Sequence, residues 1–354
     1  PSATPTIILS THEPTPTATP APTQTLTPTP LPDKTLLSGI RHEFQTWNNC
    51  GPANLAMALS YWGWQGSQKD VAPFLKPNQR DKNVMPYEME SFVDDQTDLS
   101  AVVRVGGELR LLKTFIASGI PVVVEKGFEG VGFDGWMGHY QVVSGFDDIQ
   151  AVFVVQDSYK GSNLQIPYLD FEEHWRAFNY TYLVIYPSEK REQVLQILDL
   201  QAFDNYNNRF AEQKARTETA TLTGRDQYFA WFNLGTNLVN LQDYADAANA
   251  FDAAFANYPN IPEPERPWRI LWYQTGPYFA YYYTGRYQDV IDLATTTLET
   301  MSEPVLEESY YWRARARLAL GDRQGALEDL RSSIEAHPGF TPTIEQLTLL
   351  GEQP

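Results

Sequence analysis

Gln45-Thr-Trp-Asn-Asn-Cys50-Gly-Pro52-Ala-Asn-Leu-Ala-Met-Ala-Leu-Ser-Tyr-Trp62 decides the reading of this chain, because it holds the only cysteine among 354 residues. Gly51-Pro52 punctuates the backbone just after Cys50, and an unbroken run of good helix formers follows. Proline is tolerated in a first helical turn, where its missing N–H would have no partner. The pattern therefore predicts a helix beginning at or just after Cys50. Unpaired N–H groups and the positive end of the helix dipole favour a thiolate there and lower the thiol pKa. Gln45, five residues earlier, can bring a side-chain amide to the place where an oxyanion would form. A buried cysteine is commonly inert. One on a helix start behind a glutamine is a candidate nucleophile.

Such a nucleophile needs a base, and the base needs an orienting group. Of the five histidines, His12 lies in a Thr/Pro-rich segment and His337 in a helical repeat. His42 is too near Cys50 in sequence to reach across a cleft easily, and His174 falls in an expected exposed helix. His139 opens Gly138-His139-Tyr-Gln-Val-Val-Ser-Gly-Phe146, a β-branched run that reads as a strand. The next strand, Ala151-Val-Phe-Val-Val-Gln-Asp157, ends on a carboxylate, with Asp147-Asp148 in the turn between. Antiparallel pairing of the two places Asp157 beside His139 and the Asp147 pair at the far end. Cys50, His139, Asp157 and Gln45 form the expected constellation.

These motifs resemble those of the bacteriocin-processing (double-glycine-leader) cysteine peptidases, and more closely their stand-alone relatives in secreted bacterial proteins. The resemblance spans roughly residues 38–187 and implies a papain-like fold. It further implies Cys50 as nucleophile, His139 as base, Asp157 as its orienter and Gln45 as oxyanion donor. The transporter-fused members carry an exporter that has no counterpart in this sequence.

Composition narrows the partners. Forty-four acidic against 26 basic residues give a formal charge of −18, which argues against nucleic acid or an anionic membrane. A single cysteine excludes an internal disulfide framework, and no Cys/His cluster has zinc spacing, so neither metal nor cofactor is expected.

Residues 1–34 are expected to be a disordered stalk, since nine prolines and ten threonines in the first 32 positions leave too little apolar surface to bury. Thr/Pro stalks are typical of secreted or wall-spanning proteins, so a removed signal peptide or anchor is expected, with an extracellular or cell-surface bacterial location. Residues 35–188 are expected to form the peptidase domain, α+β in class, with short helices before residue 119 and an antiparallel sheet after it. Lys126–Gly138 holds five glycines and three aromatics. It reads either as a mobile loop carrying apolar anchors over the cleft or as a loop packed on the domain.

Pro187–Glu192 is the expected exposed junction, from which residues 35–188 should separate as a folded unit. Residues 189–222 read as a helical connector. Across 223–345, Trp231, Leu234, Gly235, Tyr244, Ala247, Phe251, Ala254 and Pro259 resemble one tetratricopeptide unit of about 34 residues. Tyr310, Ala314, Gly321, Ala326, Leu330 and Pro338 repeat the pattern, with a degenerate unit, Leu271–Thr300, between. The span from the first to the last contains about eleven more residues than two such units need, and proline-rich Asn257–Pro267 accounts for them. Core packing is the expected role for most of the aromatic cluster around Trp268, Trp272, Tyr273 and Tyr278, with a minority lining a groove.

Two functions follow. The first is a secreted or surface-tethered cysteine peptidase, a hydrolase whose array binds the peptide or protein substrate or a protein partner. The second is a catalytically silent peptide- or protein-binding scaffold. An acyltransferase or amidase could use the same triad.

Overall fold

A computed structural model describes residues 30–81, 83–129 and 135–354. Residues 1–29 of the stalk expected over 1–34 lie outside them, as do 130–134 of the glycine-rich stretch, while Lys34 is already in a strand. Pro32–Pro354 form one compact unit.

The unit begins with β1 (Lys34–Leu36), α1 (Cys50–Tyr61), α2 (Gln68–Leu75), α3 (Pro86–Gln96), β2 (Leu99–Arg104) and α4 (Leu109–Ala117). Then come β3 (Val122–Phe128), β4 (Met137–Asp147), β5 (Val152–Asp157), β6 (Gly161–Pro167), α5 (Tyr168–Arg176) and β7 (Tyr182–Pro187). All strands pair antiparallel in the order β2-β7-β3-β4-β5-β6, and β1 joins β4 beyond the end of β3. The α+β expectation is met. The sequence reading did not include β1, which is only three residues long and holds Lys34 against Asp147.

Both faces of the sheet are covered, which explains why its central strands read as nearly continuous apolar runs. Val123, Val142, Leu183 and Ile185 face α1, α2 and α3. Val122, Val124, Tyr182 and Val184 point the other way, into a core shared with α4 and α5. The alternation has the strand period of two. Helix α1 is apolar all round because it is sunk in the first core, with Leu55, Met57 and Leu59 at zero exposure.

After a short turn at Ser188–Lys190 the chain is helical: α6 (Arg191–Leu198), α7 (Asp204–Thr221), α8 (Gly224–Asn240) and α9 (Tyr244–Asn257). Then follow α10 (Gly276–Tyr283), α11 (Tyr287–Glu299), α12 (Glu307–Ala319), α13 (Arg323–Ala336) and α14 (Thr341–Leu349). The pairs α8/α9, α10/α11 and α12/α13 form a tetratricopeptide-like array. Gly235 lets its first pair close, since a Cβ there would lie 2.7 Å from the Phe251 ring.

The junction expected at Pro187–Glu192 is largely exposed, and contacts cross it within the single compact unit Pro32–Pro354. Val194 and Leu198 of α6 belong to the second sheet core. Trp136, Ala177 and Phe178 pack into the core of the array with Phe229 and Tyr278. Asn179 and Asn237 exchange side-chain hydrogen bonds of 2.8 and 3.1 Å. Asn207 clasps the Val105 backbone at both N–H and C=O, at 3.0 and 2.8 Å. Sequence periodicity registered the change from strand to helix but not the burial between the two parts.

Candidate active site

Cys50 is the first residue of α1. The turn before it passes through Asn48 at φ 58°, a left-handed position that asparagine tolerates. The buried Lys76 ammonium holds that turn by donating to the Asn48 carbonyl at 2.7 Å. Gly51 serves close approach, because a Cβ there would lie 3.1 Å from Val84.

The start of β4 and the end of β5 bring the other groups to this helix terminus. His139 Nε2 lies 3.1 Å from Asp157 Oδ1, with both side chains almost fully buried. That leaves Nδ1 for Cys50, whose thiol is near enough for the imidazole to shift its titration. Asp157 is anchored in the β5–β6 turn, where Oδ1 accepts the Tyr159 and Lys160 N–H groups at 2.7 and 2.8 Å. Its Oδ2 accepts from Gln141 Nε2. Asp147 and Asp148 lie at the opposite end of the β4–β5 hairpin, paired with Lys34 and Lys113 at 2.9 Å each.

Burial acts to raise the Cys50 pKa, but the hydrogen bond and charge of His139, the Tyr140 N–H and the Lys76 charge outweigh it, and the thiol is lowered. Burial acts to lower that of His139, yet Asp157 and Cys50 together lift it to about 9. Asp157 is desolvated as well, but its hydrogen bond and ion pair with His139 hold it well below the usual carboxylate range. Both shifts act in the same direction, favouring a thiolate beside an imidazolium.

Gln45 stands across the mouth of the site. Its N–H donates to the Ser158 carbonyl at 2.8 Å. Ser158 Oγ accepts from Asn54 Nδ2 at 2.9 Å and donates to Gln45 Oε1 at 2.7 Å. The Gln45 carbonyl oxygen is thereby engaged, and its amide nitrogen is left for the cleft. Sequence reasoning missed Asn54 and Ser158, although both lie within the motifs; a hydrogen-bonded pair 104 residues apart has no periodic signal. It also set His42 aside, and His42 Nε2 lies 2.9 Å from the Asp157 carbonyl oxygen.

The cleft beside Cys50 measures about 240 Å³ and is walled by Trp47, Phe128 and Tyr159, and across from them by Arg269, Trp272 and Tyr273. Of the proposed loop anchors, Trp136 is instead core, stacked on Phe178 at 5.5 Å. Phe128 is an anchor of another kind, with its ring 4.8 Å from the His139 ring.

Among known families, residues 37–183 match the Peptidase_C39 like family. Residues 229–260 and 308–339 match the tetratricopeptide repeat, leaving the degenerate middle unit unmatched. Among solved structures, a Bacillus anthracis protein described as a C39-like peptidase is similar at 19% identity with a TM-score of 0.36, over 43% of this chain and 96% of its own. No curated protein matches. The C39-like part thus holds every residue of the expected constellation, and the repeats that follow are of a kind that binds proteins.

Among the described residues, Asp81, Glu307 and His337 bring ligand-type atoms within 4.8 Å of one another. Their contacts are internal, with His337 Nδ1 3.1 Å from Glu307 Oε1. Burial and the Glu307 charge push the neighbouring Glu88 carboxyl up to about 8. No spacing in the sequence joins these three positions.

The pH dependence of Cys50 labelling follows from the two shifts. Iodoacetamide should react with the native thiol below its ordinary titration range, because the imidazolium favours the thiolate. A second change should appear near pH 9, where His139 gives up its proton. An apparent thiol pKa at or above the free value of about 8.5 would remove the basis for the pair.

Proposed function

We propose that this chain is a cysteine peptidase that hydrolyses peptide bonds, with Cys50 as nucleophile, His139 as general acid and base, Asp157 as the group that orients and charges His139, and Gln45 as oxyanion donor. The observation that carries the proposal is the unbroken series Cys50, His139 and Asp157 at a helix start, with the Gln45 amide turned to the same cleft. The thiolate adds to the substrate carbonyl carbon, and the oxyanion is held by Gln45 Nε2 and the Cys50 N–H, which has no i−4 carbonyl to bond. Nδ1–H of His139 protonates the departing amine, leaving a thioester on Cys50. Water, losing a proton to His139, attacks the thioester, and the thiolate leaves. On the composition of residues 1–34 we place this activity outside the cell or on its surface, with the array binding substrate or a protein partner.

Incubating the full chain with a diverse peptide library and reading the products by mass spectrometry tests the proposal. New termini should accumulate with the parent and not with Cys50→Ala, while thermal melts of the two stay alike. If neither produces cleavage and Cys50 is inert to iodoacetamide, the chain is a binding scaffold.

A further inference from the structure

The repeat spacing runs about eleven residues long before its middle unit, and the structure shows where they go. Between α9 and α10 the chain passes through three short 3₁₀ turns, Tyr258–Asn260, Glu263–Glu265 and Ile270–Trp272. Downstream of the extra residues, Arg269, Trp272 and Tyr273 of this same α9–α10 connection return to the C39-like part and form one wall of the Cys50 cleft.

The wall is fixed on several sides. Arg269, only 8% exposed, donates from Nη1 to the Trp136 carbonyl at 3.0 Å. Its guanidinium lies 3.8 Å from the Trp268 ring centre and 5.4 Å from that of Trp272. Gln274 Nε2 donates to the Ala177 carbonyl at 2.7 Å, and Trp272 Nε1 to Thr300 Oγ1 at 3.2 Å. Tyr273 meets Trp136 and Phe178 edge to face at 6.0 and 5.7 Å. It also closes on the residue before His139, since a Cβ on Gly138 would come within 3.0 Å of the Tyr273 ring. Facing this wall are Phe128, Tyr159 at 46% exposure and Trp47 at 66% exposure. The Tyr159 and Trp47 rings, this exposed beside the thiol, are apolar surface that a substrate can cover, while Phe128, 3% exposed, backs the cleft.

We infer that the α9–α10 connection is the specificity element of the site, and that Trp272 and Tyr273, with Phe128 and Tyr159, receive an aromatic side chain of a peptide next to the carbonyl that Cys50 attacks. The inference rests on the proposed acyl chemistry for the position of that carbonyl. Ring edges and faces at centroid distances near 5–6 Å are the arrangement in which aromatic groups attract one another. A glycine or alanine leaves the rings wet, and an aspartate loses hydration among them that the Arg269 guanidinium, already held on the Trp136 carbonyl and the Trp268 ring, repays only in part.

The test is inactivation of the full chain by chloromethyl ketones bearing a Phe, Ala or Asp side chain next to the ketone, with the second-order rate of Cys50 loss measured for each. The Phe reagent should react at least about tenfold faster than the other two, since apolar pockets discriminate by about 10–200-fold for each methylene-sized step. In Trp272→Leu and Tyr273→Leu the Phe-to-Ala ratio should fall toward one. A partial loss of fold or of thiolate lowers both rates together and leaves that ratio unchanged. Equal rates for the three reagents in the parent, or an unchanged ratio in both variants, overturns the inference. So does failure of every reagent to reach Cys50. A parent with the ring preference that cleaves no peptide keeps the specificity wall and loses the hydrolase reading; cleavage with no ring preference does the reverse.

Discussion

Asp157→Asn is expected to slow acylation of Cys50 by on the order of 10³-fold while leaving the fold intact. The carboxylate contributes both to the charge that lifts His139 to about 9 and to the direction of Nε2–H. Without it the imidazolium loses its main stabilising partner, its pKa falls, and the thiol pKa rises with it. In a serine triad the same change costs about 10⁴-fold. The loss here should be smaller, because a thiol is more acidic than a serine hydroxyl and needs less help to ionise. The fold survives because asparagine can keep its Oδ1 bonds to the Tyr159 and Lys160 N–H groups. Its new Nδ2 donor faces Gln141, whose Oε1 is buried and unpartnered, so a flip of that amide turns a clash into a hydrogen bond. The readouts are the nitrophenolate burst from p-nitrophenyl acetate, the pH profile of alkylation and a thermal melt. Asp147→Asn, at the other end of the hairpin, is the control and should acylate like the parent. Near-normal acylation in Asp157→Asn, or a collapse in Asp147→Asn with its melt intact, would sink the triad assignment.

How much of this was legible in the sequence depends on how local each determinant is. The helix at Cys50 follows from Gly51-Pro52 and the run of helix formers behind it, and these local signals suffice to start it at the observed residue. The approach of Asp157 to His139 follows from two β-branched runs joined by a short turn, because antiparallel pairing leaves no other place for the strand end. Even a register shift between Val143 and Gly145 does not disturb this, since the hydrogen bond is made beyond the bulge. What could not be read is set by contacts across the chain. Lys76 stands out in the sequence only as a residue of a polar loop, yet it is buried and its charge reaches Cys50. Arg269, Trp272 and Tyr273 lie more than 200 residues from Cys50; the aromatic clustering and the irregular repeat spacing mark their segment, but nothing local says which cleft it lines. Pro187–Glu192 carries every local sign of a linker. Its role was decided by Trp136 and Phe178, aromatic residues whose burying partners lie on the far side of it.

That burial makes the last expectation the opposite of the one the sequence suggests. A fragment of residues 35–188 should fail to give a cooperative melt and should lose the selective reactivity of Cys50. Cutting there uncovers Trp136 and Phe178, which pack into the array, and removes Val194 and Leu198 from the second sheet core. At about 1.5–3 kcal/mol for each large apolar side chain, these four amount to about 6–12 kcal/mol. A whole domain has a net stability of about 5–15 kcal/mol, so the loss is of the same size as what holds the fragment together. The cut also removes Asn207 from the Val105 backbone and Arg269 from the Trp136 carbonyl. The latter frees the stretch that leads into Gly138 and His139, so the site should loosen even where the sheet survives. Residues 32–354, cut outside this interface, should melt in a single transition and label at Cys50 like the full chain. Calorimetry and iodoacetamide labelling of the two fragments side by side decide the matter. A cooperative melt for 35–188 with full-chain labelling kinetics would mean that the array is only docked on a self-sufficient domain.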